Sequence, residues 1–210
     1  MILRVVTGRV ASGSLDAVVE AYAREFVPVA RATVGLDRFV VGARPLSDGG
    51  HELATMTLWS TVEAAMAAYG GNLDAVQTLD ARPHGEILER VDYYELDDDE
   101  VRRGPASAAP TRLRLTAGTV ARGLDADIQK ELRRRFPELP AEVVEAYVGR
   151  RVLGADVEIA FVSIWAAAPR GVALDAPLWP SISDRYDRFR VAVHDVVLEG
   201  AGLGGSSDRG

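Results

Sequence analysis

The chain has 210 residues, of which 48% are hydrophobic and 26% charged, enough apolar content to bury a core and too much for a disordered or collagen-like chain. It has no cysteine, which excludes disulfide scaffolds, thiolate zinc sites and cysteine nucleophiles. With 31 acidic against 24 basic residues the net charge is −7, which argues against a nucleic-acid or anionic-membrane partner. The start, MILRVVTGRV, lacks the pattern of a secretory signal, and the longest apolar run, AFVSIWAAA, is interrupted by Ser163 and too short for a membrane helix. These features predict a soluble, cytoplasmic protein. Lys130 is the only lysine and Asn72 the only asparagine, a bias expected of a GC-rich bacterial genome. Arg133, Arg134 and Arg135 fan around a helix and read as a solvated face.

In chain order, ILRVVTGRV is β-branched and strand-like. Leu15 to Val34 places Leu15, Val18, Val19, Tyr22, Phe26, Val29 and Ala30 on one helical stripe, with Ser14 as its N-cap. Phe39 to Ala43 and Glu52 to Trp59 form a hairpin around Ser-Asp-Gly-Gly. Thr61 to Tyr69 is a short helix ending at Gly70-Gly71, and Ile87 to Leu96 is a closing strand. The second half continues with Arg112 to Val120, Leu124 to Phe136, Ala146 to Leu153, Val157 to Trp165, a Pro-interrupted helical region, and Arg190 to Leu198.

The halves repeat one another. Leu3, Arg4, Gly8, Val10, Ala11 and Gly13 recur as Leu113, Arg114, Gly118, Val120, Ala121 and Gly123. Glu52, Ala54 and Trp59 recur as Glu158, Ala160 and Trp165, and Gly42 stands opposite Gly149. The blocks keep their order, so the chain is a tandem duplication. The expected division is a first repeat over 1–96, an acidic and Pro-Ala linker over 97–110, a second repeat over 111–200, and a flexible Gly-Ser tail over 201–210.

A βαββαβ unit is the ferredoxin-like motif, an antiparallel sheet with both helices on one face. Its helix-free face must be covered, and two fused copies can cover each other's. This pattern, with MTLWSTVEAAMAAY and its echo VSIWAAAPRG, resembles the dimeric α+β barrel superfamily, antibiotic-biosynthesis-monooxygenase branch. The resemblance implies an α+β fold in which two ferredoxin-like repeats pack their sheets into one pseudo-dimeric barrel. It also implies either a single-chain pseudo-dimer or a dimer of such barrels.

On the third strand, Ala54, Met56 and Leu58, matched by Ala160, Val162 and Ile164, form an apolar face. The opposite face carries Leu53, Thr55, Thr57 and Trp59, matched by Ile159, Phe161, Ser163 and Trp165. A hydroxyl followed by tryptophan therefore recurs. It reads either as a pocket wall, an indole to stack on a flat ligand and a hydroxyl to orient it, or as packing inherited through the duplication. The candidate binding residues are Trp59, Thr57, Thr55, Tyr69, Trp165 and Ser163. A pocket is expected beside Trp59 more than Trp165, because Leu178 and Trp179 can fill the second half.

The resemblance tests cofactors. Haem-degrading members carry an Asn on the first strand and a His after the Trp; here Asn72 lies in a loop, and Tyr69 and Asp175 stand near the position of that His. The cofactor-free quinone-forming branch also pairs Asn with Trp, so only the Trp is kept. His51, His84 and His194 show no metal spacing; His51 and His84 are expected in exposed turns, and His194 and Asp195 on opposite faces of a strand. No metal and no cofactor are expected. Gly200-Ala-Gly202-Leu-Gly204-Gly205 spells a dinucleotide fingerprint with no helix after it, and Asp97 to Glu100 lacks calcium-loop spacing.

The sequence thus points to a small-molecule-binding barrel of this type, acting without cofactor as an oxygenase on a planar aromatic or polyketide-like substrate. The alternative is a non-catalytic, stress-related or regulatory binding protein of the same fold. No catalytic residue is identifiable from the sequence.

Overall fold

The computed structural model describes residues 1–75, 87–97, 101–103, 109–167 and 173–203. The chain divides into two compact units, 1–93 with 196–210, and 94–195. The repeats expected over 1–96 and 111–200 differ from these units at their ends. The last residues of each closing strand count with the other unit.

Unit 1 begins with β1 (Ile2–Val10), then α1 (Leu15–Ala21), a π-helical turn (Tyr22–Phe26) and α2 (Val27–Ala32). Strands β2 (Leu36–Pro45) and β3 (His51–Trp59) form the hairpin, followed by α3 (Val62–Ala68) and β4 (Ile87–Glu95). The strand order is β4-β1-β3-β2, with the end of β9 (Arg188–Gly200) beside β2. β3 is antiparallel to both neighbours, setting Arg4 opposite Thr57 and Ile2 opposite Trp59.

The first helical segment departs from its expected stripe. Pro28 cannot donate a backbone hydrogen bond, and the wider π turn ahead of it inserts an extra residue into the helical repeat. That insertion rotates the succeeding helical turns, so Val27 is buried and Val29, expected inside, is 50% exposed. Ser14 makes no side-chain cap, whereas Thr61 Oγ1 accepts from the Ala64 amide at 3.0 Å and starts α3.

The helix-facing side of the unit 1 sheet buries Ile2, Val10, Leu36, Phe39, Val41, Leu53 and Trp59 against Val18, Ala21, Tyr22, Val27, Ala30 and Ala65. Ala54, Met56 and Leu58 on the other face are also fully buried. Val197 and Leu198 of β9 pack into the same core, and Arg38 pairs with Glu199 at 2.5 Å.

Unit 2 has β5 (Val101–Arg103), β6 (Arg112–Ala121), α4 (Asp125–Arg134), a 3-10 turn (Phe136–Glu138), β7 (Val143–Leu153), β8 (Asp156–Trp165) and α5 (Pro180–Ser183). β8 lies between β6 and β7, and residues 188–195 of β9 lie along β6. Its core joins Ile128, Leu132 and Phe136 to Val157, Ile159, Phe161 and Trp165. α5 is a single turn because Pro177 and Pro180 break the pattern.

The segment read as linker holds a strand. β5 pairs with residues 145–147 of β7, because a sheet edge offers backbone groups to any extended stretch beside it. Residues 98–100 and 104–108 lie outside the described residues. Of the tail, Gly202 donates to Leu36 O at 3.0 Å and Leu203 bridges Val34, so its first residues are tied to unit 1. The fingerprint's Gly204 and Gly205, and His84, lie outside the described residues. No helix among the described residues is long and apolar enough to cross a membrane.

Candidate functional site

The recurring hydroxyl–tryptophan pairs are hydrogen-bonded to themselves. Trp59 Nε1 donates to Thr57 Oγ1 at 3.1 Å, and Trp165 Nε1 donates to Ser163 Oγ at 2.8 Å. In a strand, residues two apart share a face, so the hydroxyl is within reach of its own tryptophan. All four side chains are buried. Thr57 also donates to Arg4 O at 3.4 Å.

Beside each pair sits an arginine that the sequence pattern does not mark as a site residue. Arg4 and Arg114 face the same hydroxyls across the sheet, Arg4 opposite Thr57 and Arg114 opposite Ser163. Both are buried, at 3% and 1% exposure. Each guanidinium is clamped by two carbonyls of the loop beyond the tryptophan. Arg4 donates through Nε to Leu73 O at 2.8 Å and through Nη2 to Ala75 O at 2.5 Å. Arg114 repeats this with Leu174 O at 2.8 Å and Ala176 O at 2.9 Å. A signal for the clamp does exist in the sequence: Leu-Asp-Ala stands at 73–75 and again at 174–176. It is invisible to strand or helix periodicity because it lies in a loop.

The two guanidinium groups differ in their surroundings. That of Arg4 lies 4.1 Å over the Tyr69 ring, which in turn meets Trp59 edge-on at 5.6 Å. That of Arg114 has no ring over it and no carboxylate beside it among the described residues. Burial alone lowers its pKa, to about 10.

Arg114 lines a narrow cleft within unit 2 that is partly open to solvent. Phe161, Trp179, Tyr186 and Phe189 supply aromatic walls, and Leu132, Leu178 and Ile182 aliphatic ones. Trp179 meets Phe161 edge-on at 5.4 Å, so Leu178 and Trp179 narrow this cleft without closing it. Thr116 also lines it, and its buried Oγ1 has no hydrogen-bond partner among the described residues. Burial pushes the Tyr186 phenol above its ordinary pKa, so it stays protonated. Thr116 occupies the place of Val6 in the first repeat, and Phe161 that of Thr55: the hydroxyl of this cross-strand pair stands on β3 in unit 1 and on β6 in unit 2.

Of the residues expected to bind, Trp165 is in the unit 2 core and neither it nor Ser163 is among the residues lining the cleft, and Trp59, Thr57 and Tyr69 lie around Arg4. Thr55 is buried on the same face of β3. His51 is half-buried at the start of β3, where strand pairing draws it out of the expected turn. His194 is fully buried, while Asp195 faces outward to Arg112 at 2.5 Å. Among the described residues no three His, Cys, Asp or Glu side chains cluster as a metal site.

Solved structures of similar fold span nearly the whole chain. A protein assigned as a monooxygenase in Fusobacterium nucleatum subsp. nucleatum matches with a TM-score of 0.67 at 10% identity, over 95% of this chain and 94% of its own. An anthrone oxidase-like protein matches with a TM-score of 0.55 at 14% identity, over 95% and 93%. The chain has the dimeric α+β barrel fold, as a tandem duplication. Another protein assigned as a monooxygenase, from Lactobacillus acidophilus, shares the fold with a TM-score of 0.53 at 9% identity, over 96% and 97%. No family model matches the chain. No curated protein matches it either. The duplicated barrel is thus a likeness of fold, and function rests on the residues of each unit.

Proposed function

We propose that the protein binds planar hydroxyaromatic molecules in the unit 2 cleft and oxidises them with dioxygen, without a cofactor. The observation that carries this reading is an aromatic-walled cleft holding one desolvated guanidinium with no counter-charge among the described residues. Aromatic walls suit a flat ring once they part, and a phenolate or enolate oxygen is stabilised near the cation. The names of the structural neighbours, monooxygenase and anthrone oxidase-like, support the same chemistry.

For an anthrone the balance is anthrone plus O2 giving anthraquinone plus water. The enol tautomer loses its proton to solvent, and the anion beside Arg114 gives an electron to O2. The resulting radical and superoxide join at the ring carbon as a peroxide anion, which takes a proton back from solvent to become the hydroperoxide and then loses water to leave the quinone. The protein's part is to hold the ring, favour the anion and exclude bulk water. As they stand, the cleft side chains leave room for little more than water, so ligand entry moves Leu178 and Trp179 outward.

Anthrone added to the protein should consume oxygen and form anthraquinone faster than in buffer. Arg114→Met should slow this by about tenfold or more, the scale of one lost charged contact. Failure of wild-type protein both to bind anthrone and to consume oxygen overturns the reading. A second reading, a binding protein that performs no chemistry, is favoured by one observation: no carboxylate or imidazole lines the cleft among the described residues. Saturable binding with no oxygen uptake would select it.

A further inference from the structure

We propose that the repeats have divided their roles: Tyr69 occupies the guanidinium of unit 1 as a built-in ligand, and that of unit 2 is left for a hydroxyaromatic ring stacked on Arg114 with its oxygen on Thr116. The inference rests on the proposed function and adds which half binds and in what pose.

The two clamps are the same, with Nε on a leucine carbonyl and Nη2 on an alanine carbonyl in each unit. They fix the plane of each guanidinium and leave its face for stacking. In unit 1 that face is taken by the phenol ring of Tyr69 at 4.1 Å. A cation over a π face is stabilised where water is excluded, which offsets part of the cost of burying Arg4. Tyr69 stands four residues before Leu73; Arg170 stands four before Leu174 and has no ring to offer. It lies outside the described residues. Arg114 is likewise desolvated, with no ring over it among the described residues.

The hydroxyl of Thr116 is the second, independent sign. Thr116 is 8% exposed, and its Oγ1 is buried without a partner among the described residues in the cleft that Arg114 lines. An unpaired buried hydroxyl is costly unless a ligand atom completes it. The first repeat has Val6 at that position, where no ligand oxygen needs to be met. A phenol or phenolate supplies what both groups lack, a π face for the cation and an oxygen for the hydroxyl.

The test is a titration with 1,8-dihydroxyanthraquinone, followed by its visible absorption and by calorimetry to count sites. Wild-type protein should show a single site, weakened about tenfold in Arg114→Met and less in Thr116→Val. Tyr69→Ala should open a second site, whereas Tyr69→Leu, which keeps the space filled, should not. Tyr69→Ala/Arg114→Met should keep only the new one. Circular dichroism confirms that each variant is folded, and Arg114→Lys replaces Arg114→Met should the latter unfold. A single site in both wild-type and folded Tyr69→Ala protein overturns the division of roles and leaves the proposed function standing. A wild-type protein with sites in both units also overturns it. Absence of any binding to wild-type protein removes the proposed function itself, and the inference with it.

Discussion

The indole of Trp165 is hydrogen-bonded to Ser163, two residues earlier on the same strand, at 2.8 Å with both side chains completely buried. Ser163→Ala leaves that N–H without a partner where water cannot replace it. The expected loss is about 1–3 kcal/mol, measured by denaturant unfolding. Trp165→Phe removes the donor as well, so the Ser163→Ala/Trp165→Phe double variant should be more stable than the two separate losses imply. Strict additivity would show that the bond contributes nothing. Trp165→Ala should cost more, about 3–5 kcal/mol, since it empties part of the unit 2 core.

Gly118 on β6 accommodates Tyr186. A Cβ there would sit 2.3 Å from the Tyr186 ring and 2.6 Å from Arg188 O. At the matching Gly8 the nearest atom is Ile87 O at 3.0 Å. Gly118→Ala should therefore destabilise by about 1–3 kcal/mol and push Tyr186 out of the cleft wall, while Gly8→Ala costs less. Melting temperatures of the two variants check the order. An equal effect would mean that the Tyr186 contact is not what fixes this glycine.

Glu131 on α4 accepts from Arg134 and Arg135, and these bonds hold its pKa down to about 2. A carboxylate depressed on folding contributes stability above its ordinary titration range, and that contribution is lost as pH falls toward the folded value. Carboxyl NMR should place the Glu131 midpoint near 2. In an Arg134→Ala/Arg135→Ala variant it should move up toward the ordinary range, and wild type should approach the same value in high salt. A midpoint in the ordinary range for wild type would remove the ion-pair network as a feature of the protein in solution.

Unit 1 needs the end of β9. A fragment ending at Leu96 lacks Val197 and Leu198 from its core and Glu199 from Arg38, and it exposes the edge of β2. It should dimerise or aggregate, as light scattering after size exclusion would show. A stable, monomeric fragment would mean that the β9 residues are dispensable.

The sequence by itself determined the duplication, the order of strands and helices in each repeat, and the strand face on which Trp59 and Trp165 lie. Alternation and recurrence are local properties, so Ala54, Met56 and Leu58 could be read as buried from their spacing alone. The π turn escaped that reading because one inserted residue leaves composition unchanged while rotating Val29 outward. Only the tertiary structure brought the candidate site together. Arg4 and Arg114 recur visibly in the sequence, yet an arginine on a strand reads as a solvated charge. Its burial depends on carbonyls 69 and 71 residues away in unit 1 and 60 and 62 away in unit 2. Period two also cannot say which face of a strand the helices cover. That choice packed Trp59 and Trp165 into the helix-covered cores, and it put Thr116 and Arg114 on the wall of the cleft.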